Sequence, residues 1–76
     1  MSRWAPCKRR LFLHKLRRIG FDGPLSGTRH QFMVFEENQL PIPSNDEFSV
    51  PQLRFMLKEV ESIIKRRLST EEWNNL

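Results

Sequence analysis

Gly20-Phe21-Asp22-Gly23-Pro24-Leu25-Ser26-Gly27-Thr28-Arg29-His30-Gln31-Phe32-Met33-Val34-Phe35 is the stretch whose reading decides the fold. Up to Gly20 the apolar residues keep helical spacing; beyond it they come in short runs broken by Gly23-Pro24 and Ser26-Gly27, which is turn chemistry. Phe21 to Leu25 therefore reads as a short, irregular strand, and residues 30 to 36 as the best strand of the chain. Glu37-Asn38 suits a hairpin turn into a third strand at Gln39 to Ile42, and Pro41 and Pro43 place that strand at a sheet edge. Alternation along the central strand puts Phe32 and Val34 on one face and Met33 and Phe35 on the other. Both faces are apolar. One packs on helices, and the second is either covered by the chain ends or left as a patch for another protein.

Helices flank this region on both sides. Upstream, Pro6 suits a first helical turn, Phe12, Leu13, Leu16 and Ile19 follow at helical spacing, and Gly20 offers the left-handed conformation that ends many helices. Lys8, Arg9, Arg10, Lys15, Arg17 and Arg18 fill much of the rest of that helix, so its outer surface is predicted to be strongly positive. Downstream, Ser44 to Phe48 reads as a linker. Ser49 with Gln52 forms a capping box before a helix that carries Leu53, Met56, Leu57, Val60, Ile63 and Ile64 on one stripe. Lys65-Arg66-Arg67 close it with charges favoured at a helix C-terminus, and Ser69 with Glu72 caps a final turn holding Trp73. The expected fold class is α+β, a two-layer α-β-β-β-α arrangement with a short C-terminal helix, each apolar stripe facing the sheet.

With 76 residues, 38% of them apolar, the chain suits one domain, residues 1 to 76, with a single core. A chain this short buries only about 60% of its unfolded surface, so any active site is expected to be shallow. The net charge is +4, and it is uneven: residues 1 to 38 hold eight basic and three acidic side chains, residues 39 to 76 five and six. A cationic half of this kind favours a polyanion partner, through release of condensed counterions. Cys7 stands alone, which excludes an intramolecular disulfide and fits a reducing cytoplasm. The longest apolar run, Phe32-Met33-Val34-Phe35, is too short to span a bilayer, and the opening Met1-Ser2-Arg3-Trp4-Ala5-Pro6 does not read as a secretory signal. A soluble protein with no membrane partner is expected.

The sequence holds few groups capable of chemistry. Cys7 and His14 share a side of the first helix but stand about 10 Å apart, too far for a nucleophile and its base. Cys7 reads as a small buried hydrophobe and His14 as a solvated helix residue. No spacing among Cys7, His14, His30 and the carboxylates matches a metal site, so neither metal nor cofactor is expected. Ser26-Gly27-Thr28-Arg29-His30 is different. Gly27 lets a phosphate approach the backbone, Thr28 can donate a hydrogen bond to it, and Arg29 can clasp its oxygens. His30 brings an imidazole, a group whose unperturbed pKa of about 6.5 suits proton exchange near neutral pH. RNA carries its own nucleophile, the 2′-hydroxyl, so a positioned base or acid with cationic support can cleave it without a metal. Lys8, Arg9, Lys15 and Arg18 are the phosphate contacts expected from the first helix. The same segment also fits an ordinary loop with a histidine at a strand edge.

Gly20-Phe21, Gly23-Pro24, Ser26-Gly27-Thr28-Arg29-His30, Ile42-Pro43, Ser49 with Leu53-Arg54, and Glu71-Glu72-Trp73 together resemble the HicA family of bacterial toxins, over nearly the whole chain. That resemblance implies a domain of the double-stranded-RNA-binding type, which shares the α-β-β-β-α order, acting as a ribosome-independent mRNA endonuclease of a toxin-antitoxin system. It implies His30 as the catalytic histidine, accompanied by Gly27 and Thr28, and a HicB-type antitoxin as protein partner. Arg29 falls on a variable position of the family, so its phosphate role comes from its chemistry alone. A non-catalytic RNA-binding or protein-interaction module is the alternative, and it needs no special histidine.

Overall fold

The computed structural model describes residues 3–76; Met1 and Ser2, which open the stretch read above for a signal, lie outside the described residues. Eight elements follow in order: β1 (Cys7–Lys8), α1 (Arg9–Ile19), β2 (Asp22–Ser26), β3 (Gln31–Phe35), β4 (Asn38–Pro41), β5 (Glu47–Phe48), α2 (Val50–Ile64) and α3 (Thr70–Asn74). The class is α+β, with a three-stranded antiparallel sheet in the order β2-β3-β4 and a separate two-stranded sheet, β1-β5.

That second sheet corrects the expected order of elements. Pro6 does not begin the first helix, and residues 44 to 48 are not only a linker. Cys7 pairs with Phe48 and Lys8 with Glu47 in antiparallel register. The pairing buries Cys7 and Phe48 in the core and sets the Lys8 amine 3.7 Å from the Glu47 carboxylate outside. It also supplies what α1 lacks. No side chain caps its start, and the Arg9 amide donates to the Asp46 carbonyl at 2.8 Å instead. Burial raises the Cys7 thiol pKa, Lys15 opposes that shift and Glu47 adds to it, so this cysteine sits as an inert core residue.

In the main sheet, Met33 is fully buried and Phe35 packs partly buried against Phe21, with ring centroids 5.2 Å apart. This is the helix-facing side. Phe32 and Val34 look the other way, half-buried, and Phe32 stands in register with Leu25 and Pro41. Trp4 and Leu76 pack against the core, so these outlying residues serve the helix side of the sheet. The hairpin turn falls at Glu36-Glu37, one residue earlier than expected. Glu36 takes a left-handed backbone (φ 55°) and Asn38 already pairs with Phe35. A bulge between Asp22 and Leu25, at the cis Gly23-Pro24 bond, accounts for the irregular first strand. β4 is an edge strand, as its prolines indicate.

Local signals set the helices. Gly20 (φ +129°) ends α1, letting its own amide and that of Phe21 reach the Leu16 carbonyl. The Ser49 and Ser69 hydroxyls accept from the Gln52 and Glu72 amides at 3.3 and 3.0 Å, capping α2 and α3. The Gln52 side chain turns to Asn45 instead of completing the box. Lys65, left-handed at φ 61°, stops α2 before the basic triplet, so those charges lie past the helix, and Arg66 pairs with Glu72 at 2.8 Å. α1 lies against β2 and α2 against β4. One core joins them, with Phe12, Leu16, Met33, Leu40, Phe48, Leu53 and Val60 almost wholly buried. Each such side chain contributes about 1.5 to 3 kcal/mol relative to exposure. No helix among the described residues is long and apolar enough to cross a membrane.

Candidate functional site

The last β2-β3 pair, Ser26 with Gln31, leaves four residues to turn the chain, and the Gly27 amide closes the loop by donating to the His30 carbonyl at 3.2 Å. This close approach explains the glycine. A Cβ at residue 27 would stand 2.6 Å from the His30 oxygen and 3.4 Å from the Phe32 ring, so any side chain there must displace the loop. Thr28, Arg29 and His30 are all exposed at the loop tip. His30 also borders a shallow hollow of about 250 Å³ against Pro41, Ile42 and Pro43. The Ile42 amide holds that wall in place by donating to the Gln31 carbonyl at 2.8 Å.

Arg9 ties the cationic helix to this corner. Its Nε donates to the Pro43 carbonyl at 3.1 Å, and a terminal nitrogen donates to Gln31 Oε1 at 2.5 Å. The guanidinium is thus fixed between the residue after His30 and the wall of its hollow. Gly27, Thr28, Arg29 and His30 share the loop, and Arg9 is tied to Gln31, the first residue of β3.

The other expected phosphate contacts divide. Arg18 is exposed as expected. Lys8 is exposed beside Glu47, a weakly coupled surface pair. Lys15 is a correction: it is 6% exposed, its Nζ donates to the Trp73 carbonyl at 2.6 Å and lies 5.2 Å from the centre of the Trp73 ring. It cannot meet RNA from there. Its position three residues after Phe12 and one before Leu16 puts it on the apolar side of the helical wheel, which is the signal that was available.

Two further cations belong to this surface. Arg10 and Arg17 are exposed and seven residues apart, hence on one face, and His14 and Arg18 continue that face at spacings of four. Arg17 is partly anchored, donating to the Gly23 carbonyl at 3.3 Å. The outer stripe of α1 is therefore Arg10, His14, Arg17 and Arg18, with Leu11 at its border. Among the described residues, no three His, Cys, Asp or Glu side chains gather as metal ligands would. Compared with family models, curated proteins and solved structures, the chain matches none.

Proposed function

We propose that this protein is an mRNA endoribonuclease of the kind its sequence resembles, a HicA-type toxin, with His30 as general acid or base. The observation that carries the reading is an exposed imidazole on a loop closed by Gly27, beside Arg29 in the chain, with Arg9 doubly anchored to Pro43 and to Gln31, the residue after His30. His30 takes the proton of a ribose 2′-hydroxyl, whose oxygen bonds to the adjacent phosphorus as the bond from phosphorus to the 5′-oxygen of the next nucleotide breaks; a 2′,3′-cyclic phosphate forms, and the departing 5′-oxygen takes a proton from water. The arginines balance the charge that builds on the phosphate oxygens, and the Thr28 hydroxyl donates to one of them. The outer stripe of α1, joined by Lys8, holds the flanking backbone. An α-β-β-β-α order survives inside the observed one, which supports the likeness to double-stranded-RNA-binding domains. The protein then works in the cytoplasm, restrained by an acidic HicB-type antitoxin that covers His30.

A second reading has its own observation. Leu25, 47% exposed, stands beside Phe32 and Pro41 on the outer sheet face, an apolar row that suits a protein-interaction module without catalysis. Incubating total RNA with purified protein, with and without EDTA, separates the two. Cleavage that persists in EDTA and disappears in His30→Gln supports the nuclease; RNA recovered intact from the parental protein supports the module. Parental-rate cleavage by purified His30→Gln would remove His30 from the mechanism.

A further inference from the structure

We propose that the outer face of α2 is a second contact for single-stranded RNA, where a base stacks on Phe55 and neighbouring phosphates lie against Arg54, Lys58 and Arg67. Phe55 is 67% exposed, the most open of the large hydrophobic side chains among the described residues. The core does not use it: α2 buries Leu53, Met56, Leu57 and Val60. Arg54 and Lys58 flank it, four residues apart and both exposed. Two adjoining hollows share these cations, one of about 320 Å³ reaching Trp4, Arg67 and Leu68, the other of about 420 Å³ reaching Val50, Pro51 and Phe55.

The charges here await an anion. Among the described residues, Lys8–Glu47 and Arg66–Glu72 are the side-chain pairs that meet within 4 Å, and neither involves Arg54, Lys58 or Arg67. Glu61 borders the first hollow, its carboxylate accepting the Leu68 amide at 2.7 Å, and its charge offsets one of the three cations, which leaves an excess of two. Arg54 lies 6.0 Å from the centre of the Trp4 ring, which holds the guanidinium over the surface. Cations beside an open aromatic ring suit a strand whose bases are unstacked and whose backbone is charged. A duplex hides its base faces from such a ring. An acidic amphipathic peptide would match the charge, yet it needs a row of apolar anchor points. Around Phe55 the exposed neighbours on the helix are Pro51, Arg54, Lys58, Glu59 and Ser62, so a single apolar neighbour, Pro51, stands where a peptide would need a row.

The proposal shares RNA as ligand with the preceding reading but does not depend on cleavage. Its test is fluorescence anisotropy with a labelled single-stranded RNA of about a dozen nucleotides, using His30→Gln protein so that the probe survives. Phe55→Ala should weaken binding about 5- to 150-fold with an unchanged salt slope. Arg54→Ala/Lys58→Ala should lower the slope of log affinity against log salt by about 1.4, two phosphate contacts' worth. All three positions are exposed, and circular dichroism checks that the variants stay folded. A duplex probe should not register Phe55→Ala. Unchanged affinity and slope in both variants overturn the proposal. So does a labelled acidic amphipathic peptide that binds the parental chain and is lost in these variants while RNA binding is untouched. A parental protein that binds RNA through α2 yet never cuts it upholds the proposal and sinks the nuclease.

Discussion

Lys15 and His30 mark two regions that look alike in the sequence and behave oppositely in the fold. Lys15 sits in the seam between α1 and α3, its charge enclosed by the Trp73 carbonyl and ring. His30 ends a loop, residues 26–30, in which every residue is exposed. In the seam, a basic group finds backbone and aromatic partners, so it holds the structure together. At the loop, basic groups are left facing solvent and are free to meet a ligand. The difference teaches that a basic residue in so small a domain is assigned by what surrounds it, not by the charge run it belongs to.

Substitutions at the two regions should therefore move different observables. His30→Gln should have the largest effect, a loss of about 10² to 10⁴ in cleavage rate, with no shift in the urea unfolding midpoint. Lys15→Ala should do the reverse. It leaves the Trp73 carbonyl with the Leu76 amide, at 3.3 Å, as its donor and removes a cation from over the ring, costing about 1 to 3 kcal/mol of stability, while cleavage per folded molecule stays at the parental level. Denaturant titration beside an activity assay reads both, and a Lys15→Ala protein of parental stability would erase the distinction. Gly27→Ala sharpens it from the other side. Displacing the His30 carbonyl should lower cleavage by up to about 100-fold with only a small change in the thermal midpoint. Smallest is the triple variant Arg10→Ala/Arg17→Ala/Arg18→Ala. Stability should hold, and the salt slope of RNA affinity should fall by about 2; an unaltered slope would take the α1 stripe out of RNA contact.

Features coded within a few residues could be read from the sequence. Ser49 and Ser69 cap their helices through a hydroxyl and an amide three residues on, and Gly20 ends α1 within its own turn. The three antiparallel strands were legible for the same reason, with boundaries one residue off where Glu36 took the left-handed turn position. The β1-β5 pairing was not legible. Its partners lie some forty residues apart, and two-residue strands leave no alternation to detect. At the site, the loop from Ser26 to His30 declared itself through residue types that share a use. The anchoring of Arg9 by Gln31 and Pro43 depends on three segments meeting in space, which no spacing encodes. Lys15 and the Arg10–Arg17 stripe were encoded in helical phase but hidden by a count of charges that ignored direction.

The grip of Lys15 on Trp73 spans 58 positions of chain. During synthesis, helix α1 emerges long before its distant clasp exists, and until then that amine must remain hydrated on a surface otherwise destined for the interior. A charge at this point would keep the nascent helix from sticking to its neighbours, and the arrival of the indole would turn the same group from a solubiliser into a bolt.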